Sequence, residues 1–255
     1  MNIVVYGVHH WPNREPTQLE LDRYREWYDR IVYNIPYISS ISIATGCYSN
    51  PAHSPFPPEV NIIQNKVPYT KEYSKEHNYF RNGFVSGVWY NLLNRDNWDV
   101  LLHIQSRVFI GDKMDKIFDD FYTMPQQVIA PNLICQAGSW MEISFFGMKP
   151  IAAMKYITEG CRYTFDNRST DMLLNCEEEA YIMYNKTWFN PWPDILTTRQ
   201  IDSSTRGYGM LPEHSPFTLG DNNEAKRLPL ISTGKHVTDE FMSIWREEHP
   251  YEPSI

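Results

Sequence analysis

The chain has little of what staples or anchors a protein. Of 255 residues only 4 are cysteine, and Cys47, Cys135, Cys161 and Cys176 make no C-x-x-C pair. That spacing argues against a zinc knuckle, and a chain of this size needs no disulfide framework. No apolar run reaches the length of about 18 residues that suggests a membrane-spanning helix. The opening segment, MNIVVYGVHHWPNRE, lacks the basic leader and long apolar stretch of a secretory signal. A cytoplasmic protein with free thiols is expected. Basic residues are also short: Lys+Arg is 23 against Asp+Glu 31, for a net charge of -8. This argues against sequence-independent binding to nucleic acid, which needs a basic face, although it leaves room for a local basic groove. The glycine-built phosphate loops are missing as well. There is no G-x-G-x-x-G, no G-x-x-x-x-G-K-[ST] and no G-x-S-x-G. These absences disfavour a dinucleotide oxidoreductase, a P-loop ATPase and an α/β-hydrolase.

Aromatics, in contrast, make up 15% of the chain, with 8 Trp and 17 Tyr. They serve either as bulky core or as stacking platforms for bases and sugar rings. The apolar pattern alternates between strand and helix. Ile3 to Val8 reads as a buried strand. Thr17 to Tyr33 spaces Leu21, Tyr24, Trp27, Tyr28, Ile31 and Val32 as one face of a helix. Ile38 to Ala44 and Val60 to Gln64 read as strands on either side of a Pro-rich loop. Lys75 to Asn94 reads as a long helix with Phe80, Phe84, Gly87, Val88 and Asn91 on one face. Val100 to Ile110 is the most apolar strand. Further on come a helix over 115–122, strands over 128–130 and 142–148, helices over 150–159 and 177–184, and a last helix around 243–248. Residues 185–216, rich in Pro, Gly and aromatics, read as loop over a site.

Strands alternating with helices predict an α/β fold, a mainly parallel sheet flanked by helices, with a Rossmann-like first half and an irregular C-terminal lid. The expected organisation is one domain: 1–112 as the nucleotide-binding half, 113–190 as the acceptor-side half and 191–255 as lid and tail.

The segment RNGFVSGVWYNLLNRDNWDVLLHIQSRVFIGD, residues 81–112, resembles the centre of GT-A fold nucleotide-sugar glycosyltransferases. Those enzymes carry a helix opening on an Arg-Asn-x-Gly-like turn, then a buried strand ending in Asp-x-Asp, then an apolar tail with Gly-Asp. Here Gln105-Ser106-Arg107 stands in place of Asp-x-Asp. The resemblance extends loosely over residues 1–190, with the loop after the first strand at the base-binding position, Lys149-Pro150 at an acceptor-side helix start, and Glu177-Glu178-Glu179 where many inverting members keep acidic residues. It implies a glycosyltransferase, a hexosyl- or pentosyltransferase, with a nucleotide sugar as donor and no further cofactor.

The departure at 105–107 changes the expected chemistry. Glutamine is a poor ligand for a hard cation and arginine has no lone pair to give. The expected enzyme is therefore metal-independent, with Arg107 facing the diphosphate through its guanidinium fork. Arg81 and Lys149 are expected to assist. Gly7, His9, Arg81, Asn82, Gln105 and Arg107 are the expected nucleotide-sugar contacts. Glu178, then Glu179, is the expected general base, and Trp140, Trp188 and Trp192 an acceptor wall. His10 is a weaker candidate, and His214 and His236 are assigned no role as ligands. Each has a plainer reading: Arg107 as a solvated residue after a strand, the glutamates as a favourable helix start, the aromatics as core, although for Trp188 and Trp192 the Pro-rich setting favours an exposed or capping loop over core. Two other functions stay open, a non-catalytic binding or scaffold protein of the same fold and a nucleotidyltransferase. The acceptor is not readable.

Overall fold

The computed structural model of the chain describes residues 1–46, 49–64, 76–94, 97–135, 138–141, 143–159, 183–193, 196–199, 201–202, 209–210, 227–232 and 239–253. The first half alternates strand and helix: β1 (Ile3–Val8), α1 (Gln18–Asn34), β2 (Ile38–Thr45), β3 (Asn61–Gln64), α2 (Glu76–Asn94) and β4 (Val100–Ile104). Then come β5 (Val108–Ile110), α3 (Asp115–Thr123), β6 (Val128–Ile129), β7 (Asn132–Cys135), β8 (Gly138–Met141), β9 (Phe145–Met148) and α4 (Pro150–Glu159). The last described elements are β10 (Trp188–Phe189), β11 (Leu196–Arg199), β12 (Ile201–Asp202), β13 (Gly209–Met210), β14 (Leu230–Ser232) and α5 (Asp239–Glu248). Among the described residues no helix is long and apolar enough to cross a membrane.

Seven strands form the central sheet in the order β3-β2-β1-β4-β9-β6-β10. All neighbours are parallel except β9, which runs against both β4 and β6. The expected mainly parallel α/β sheet is therefore present. Strand pleating sends alternate residues to opposite faces. Ile3 and Val5 of β1, with Leu102 and Ile104 of β4, pack on Trp27 and Ile31 of α1, Phe118 and Phe121 of α3, and Trp245 of α5. Val4, Tyr6 and Val8, with Leu101, pack on Phe84 and Val88 of α2 and Ala153 and Tyr156 of α4. Gly83 and Gly87 let α2 lie directly on β1. A Cβ at Gly83 would come within 2.5 Å of Val8 and one at Gly87 within 2.3 Å of Tyr6.

Three expectations change. The apolar stretch 100–110 is not one strand: it breaks at 105–107, and β5 leaves the central sheet to pair antiparallel with β14. The strand expected over 142–148 starts at Phe145. The segment read as loop from residue 185 contributes β10, the edge strand of the sheet. The last helix, expected around 243–248, is present as Asp239–Glu248, and α5 docks on α1: Arg30 lies 4.6 Å below the Trp245 ring, and Arg246 pairs with Glu26 at 2.7 Å. The helix expected at 177–184 falls largely outside the described residues.

Candidate active site

In an open α/β sheet, ligands bind beyond the carboxyl ends of the strands, where the order of connections reverses. Here the chain proceeds from β1 outward to β2 and β3, then returns through α2 to β4 on the other side of β1. The switch point lies between the ends of β1 and β4. His9 follows β1, and Gln105-Ser106-Arg107 follows β4.

The residues after β4 form a tight turn, closed by the Val108 N–H donating to the Gln105 carbonyl at 2.8 Å. Ser106 and Arg107 are its two central residues, and the turn is held from three directions. From the β9 side, the Gln105 N–H donates to the Ser144 carbonyl at 2.8 Å and the Ser144 hydroxyl donates to Gln105 Oε1 at 3.0 Å. From α1, Trp27 Nε1 donates to the Gln105 carbonyl at 3.2 Å. From β1, His9 Nδ1 is hydrogen-bonded to the Ser106 hydroxyl at 2.8 Å. Ser106 is 3% exposed, whereas Gln105 and Arg107 on either side of it are half-buried. Arg107 Nε donates to Gln105 Oε1 at 3.2 Å. That oxygen thus faces two donors.

His9 is held on its other nitrogen as well, with Nε2 2.5 Å from the Tyr24 hydroxyl. Burial, with help from the Arg23 charge and His10, pushes its pKa down to about 3. Burial raises the Tyr24 phenol to about 12. Both groups are neutral at pH 7, so hydroxyl, imidazole and hydroxyl form a chain in which each can donate or accept. Phe56, from the Pro-rich loop, closes this corner: its ring sits 5.5 Å from His9, 4.5 Å from Tyr24 and 6.1 Å from Trp11. His10 is exposed, and its Nδ1 lies 2.7 Å from the Ser49 hydroxyl.

The strand directions place the remaining candidates. Gly7 is buried, and a Cβ there would come within 2.7 Å of the Ile104 carbonyl, so the position is held small by the close passage of β4. Because β9 is antiparallel, Phe145 stands beside Ile104 and Met148 beside Leu101. Lys149 therefore lies at the opposite edge of the sheet from the turn, by about 10 Å or more at the rise of a strand. There its ammonium donates to the Met124 carbonyl at 2.5 Å, capping the end of α3, so its expected help at the diphosphate is withdrawn. Trp188 is level with Val128, and so with Met148, at that same far edge, and its Nε1 donates to the Ala130 carbonyl at 2.9 Å. Trp192 does reach the turn's edge of the sheet, but it is 8% exposed and its ring packs 5.5 Å from Phe145. The expectation of a capping loop at Trp192 gives way to core. Trp140 belongs to β8, which pairs with β7 in a small sheet, β11-β7-β8. Since β6 runs parallel to β4, the β7–β8 hairpin emerges at the turn's edge. Arg81 and Asn82 lie in α2; their side chains, and that of Trp140, are outside the described residues. Glu177, Glu178, Glu179, His214 and His236 are outside them entirely.

The donor set does not suit a divalent cation. The turn carries no carboxylate, its one amide oxygen faces two donors, and among the described residues no three His, Cys, Asp or Glu side chains group to hold a metal. Asp112, a further carboxylate near this segment, is hydrogen-bonded to His249 Nδ1 at 2.8 Å. What the turn offers is donors: the Arg107 guanidinium and the Gln105 amide nitrogen. Arg23, whose charge acts on both His9 and Tyr24, adds positive potential at this edge. Sequence reasoning missed Tyr24, Trp27, Ser106 and Ser144 as site residues, because what marks them is contact across 15 to 97 residues, and it missed Arg23, which acts there through its charge.

No protein-family model and no curated protein matches the sequence. Solved structures to which the chain shows a distant similarity include three glycosyltransferases. One, involved in glycosylation of the major capsid of PBCV-1, is 11% identical at TM-score 0.45, over 97% of this chain and 98% of its own. GlyE of Streptococcus pneumoniae TIGR4 is 8% identical at TM-score 0.40 over 74% of this chain; the chain spans only 44% of GlyE's length. Mouse xyloside xylosyltransferase 1 is 6% identical at TM-score 0.43, over 74% of this chain and 84% of its own. At such distance the likeness assigns no role to any residue.

Proposed function

We propose that the protein is a glycosyltransferase that takes a sugar from a nucleotide-sugar donor without a metal held in an Asp-x-Asp site. The observation that carries this reading is the turn at the switch point of the sheet, where hydrogen-bond donors and a cation stand in place of carboxylates. The diphosphate of the donor lies against Arg107 and the Gln105 amide. As the anomeric carbon–oxygen bond breaks, negative charge builds on the leaving diphosphate, and the Arg107 guanidinium, already fixed by Gln105, interacts more strongly with it. The acceptor hydroxyl attacks the same carbon and gives its proton to a general base, for which Glu178 and then Glu179 are the candidates. Of the expected nucleotide contacts, Arg81 and Asn82 lie on the helix that packs on β1; Trp140, on the β7–β8 hairpin, is proposed for the acceptor.

The test is calorimetry and turnover with a panel of nucleotide sugars, with and without EDTA, on the unmodified protein and on Arg107→Ala. The expected result is binding that EDTA leaves intact, and a loss of affinity in Arg107→Ala corresponding to about 1.5–3 kcal/mol. Affinity that collapses in EDTA and returns with manganese overturns metal independence. Binding without turnover on any acceptor favours the scaffold reading, and no binding at all overturns the proposal.

A further inference from the structure

We infer that His9 is a positioning residue for the Arg107 turn, acting through its hydrogen bond to the buried hydroxyl of Ser106. The inference rests on the proposed function and adds to it how the anion-binding turn is held in register.

Gln105 is fixed by β9 and α1, but those contacts end at the first residue of the turn. The next residue, Ser106, decides in which direction Arg107 leaves the sheet, and the side-chain contact that fixes Ser106 comes from His9 at 2.8 Å, 97 residues away. The ring of His9 is itself set by Tyr24 of α1 at 2.5 Å on the other nitrogen and walled by Phe56. The imidazole thus bridges α1, the end of β1 and the turn after β4. A neutral ring suits this task. It contributes direction without adding a charge that would compete with Arg107 for an anion, and the lowered pKa keeps it neutral through the working range. His9 is close to the site yet bonded on both nitrogens to the protein, which separates it from a catalytic base and from a direct phosphate contact.

The two ring nitrogens can be tested apart. His9→Asn puts an amide where Nδ1 stands and can keep the bond to Ser106. His9→Gln puts one where Nε2 stands and keeps only the bond to Tyr24. His9→Leu keeps neither. Binding of inorganic pyrophosphate and of UDP, GDP, ADP and CDP is measured by calorimetry on the 255-residue chain and each variant, beside a urea melt of each. The expected result is that His9→Asn retains the affinity of the unmodified protein, while His9→Gln, His9→Leu and Ser106→Ala each weaken binding by about tenfold or more, as loss of an aligned charged hydrogen bond does. His9→Leu combined with Ser106→Ala weakens it no further than either alone, because both act through one bond. Ser106→Ala removes a single atom, so this arm stands even where replacing the ring unfolds the chain. Equal binding by the Asn and Gln variants, additive losses, or affinities that merely follow the urea midpoints make His9 a packing residue and overturn the inference. If the unmodified protein binds none of these probes, the phosphate reading of the turn fails and the inference with it; binding that persists in every His9 and Ser106 variant overturns the inference alone.

Discussion

Arg30 Nη1 donates to the His249 carbonyl at 2.8 Å, across 219 residues of sequence. The guanidinium is 1% exposed, pairs with Glu26 at 2.8 Å, and lies between the rings of Trp245 at 4.6 Å and Tyr251 at 4.4 Å. One planar cation thus ties α1 to the C-terminal helix by a fork and two stacked faces. Arg30→Ala is expected to destabilise the fold by about 3–5 kcal/mol, the usual cost of breaking a buried pair. Arg30→Lys keeps the charge but has neither fork nor plane, and is expected to recover only part of the loss. Urea unfolding checks both. A lysine variant as stable as the parent would mean that charge alone matters there.

Gly87 of α2 faces the Tyr6 ring. Alanine in a helix gains about 1 kcal/mol over glycine, yet its Cβ would stand 2.3 Å from Tyr6, a side chain buried beneath the helix. Overpacking of this kind costs about 1–3 kcal/mol. Gly87→Ala is therefore expected to lower the melting temperature despite better helix propensity. A rise in the melting temperature would show that α2 does not lie flush on β1.

Lys149 separates the two edges of the sheet. Its ammonium caps α3 through the Met124 and Tyr122 carbonyls and sits 4.8 Å from the Phe121 ring. Lys149→Met is expected to cost about 1–2 kcal/mol of stability through these lost contacts and to leave kcat and donor KM unchanged. A fall in kcat at unchanged stability would return Lys149 to the active site.

The contrast between Lys149 and Gln105 shows what a sequence carries and what it withholds. The mainly parallel sheet was legible because β1, β2 and β4 are short apolar runs set between helical patterns. The break after β4 was not, since 100–110 is apolar enough to read as one strand; residues 105–107 were marked only by the resemblance to glycosyltransferases. The direction of β9 was not, since a two-residue period is the same whether a strand runs up or down, and with that direction went the position of Lys149. The prolines around Trp192 read as exposed or capping loop, and nothing local shows that its ring turns into the core. The bonds of His9 to Tyr24 and Ser106 left no local trace, because hydroxyl and imidazole are ordinary loop and helix residues until the sheet brings them together.

His103 gives the acid side of stability a specific cause. It lies in β4 with no exposed surface, its ring 4.9 Å from both Tyr6 and Phe84. Nδ1 donates to the Ile143 carbonyl at 2.5 Å, since a carbonyl can only accept. Burial lowers its pKa from the ordinary 6.5 to about 4, against a smaller opposing effect of that hydrogen bond; His9 is lowered further, to about 3. A histidine depressed in the folded state contributes stability that is complete above about 6.5 and is lost as pH falls toward the folded value, because the unfolded chain takes up protons the native chain refuses. The slope is at most about 1.4 kcal/mol per pH unit for each ring. Glu20, held down to about 2 chiefly by its hydrogen bond to Arg14, acts lower: its contribution is present above about 4.5 and is lost as pH falls through about 2. The window from pH 6.5 to 4.5 is where the two histidines separate from it. His103→Asn keeps a donor for the Ile143 carbonyl and cannot titrate. It is expected to start less stable at pH 7.5, for its lost ring packing, and then to fall less steeply than the parent between pH 6.5 and 4.5, by about 1 kcal/mol per pH unit. The carboxylates and other histidines are common to both proteins and cancel in the comparison. Urea unfolding at half-unit steps of pH measures both curves. Parallel curves would show that His103 titrates in the native state as it does in the unfolded chain, and that β4 is wetter than its packing implies.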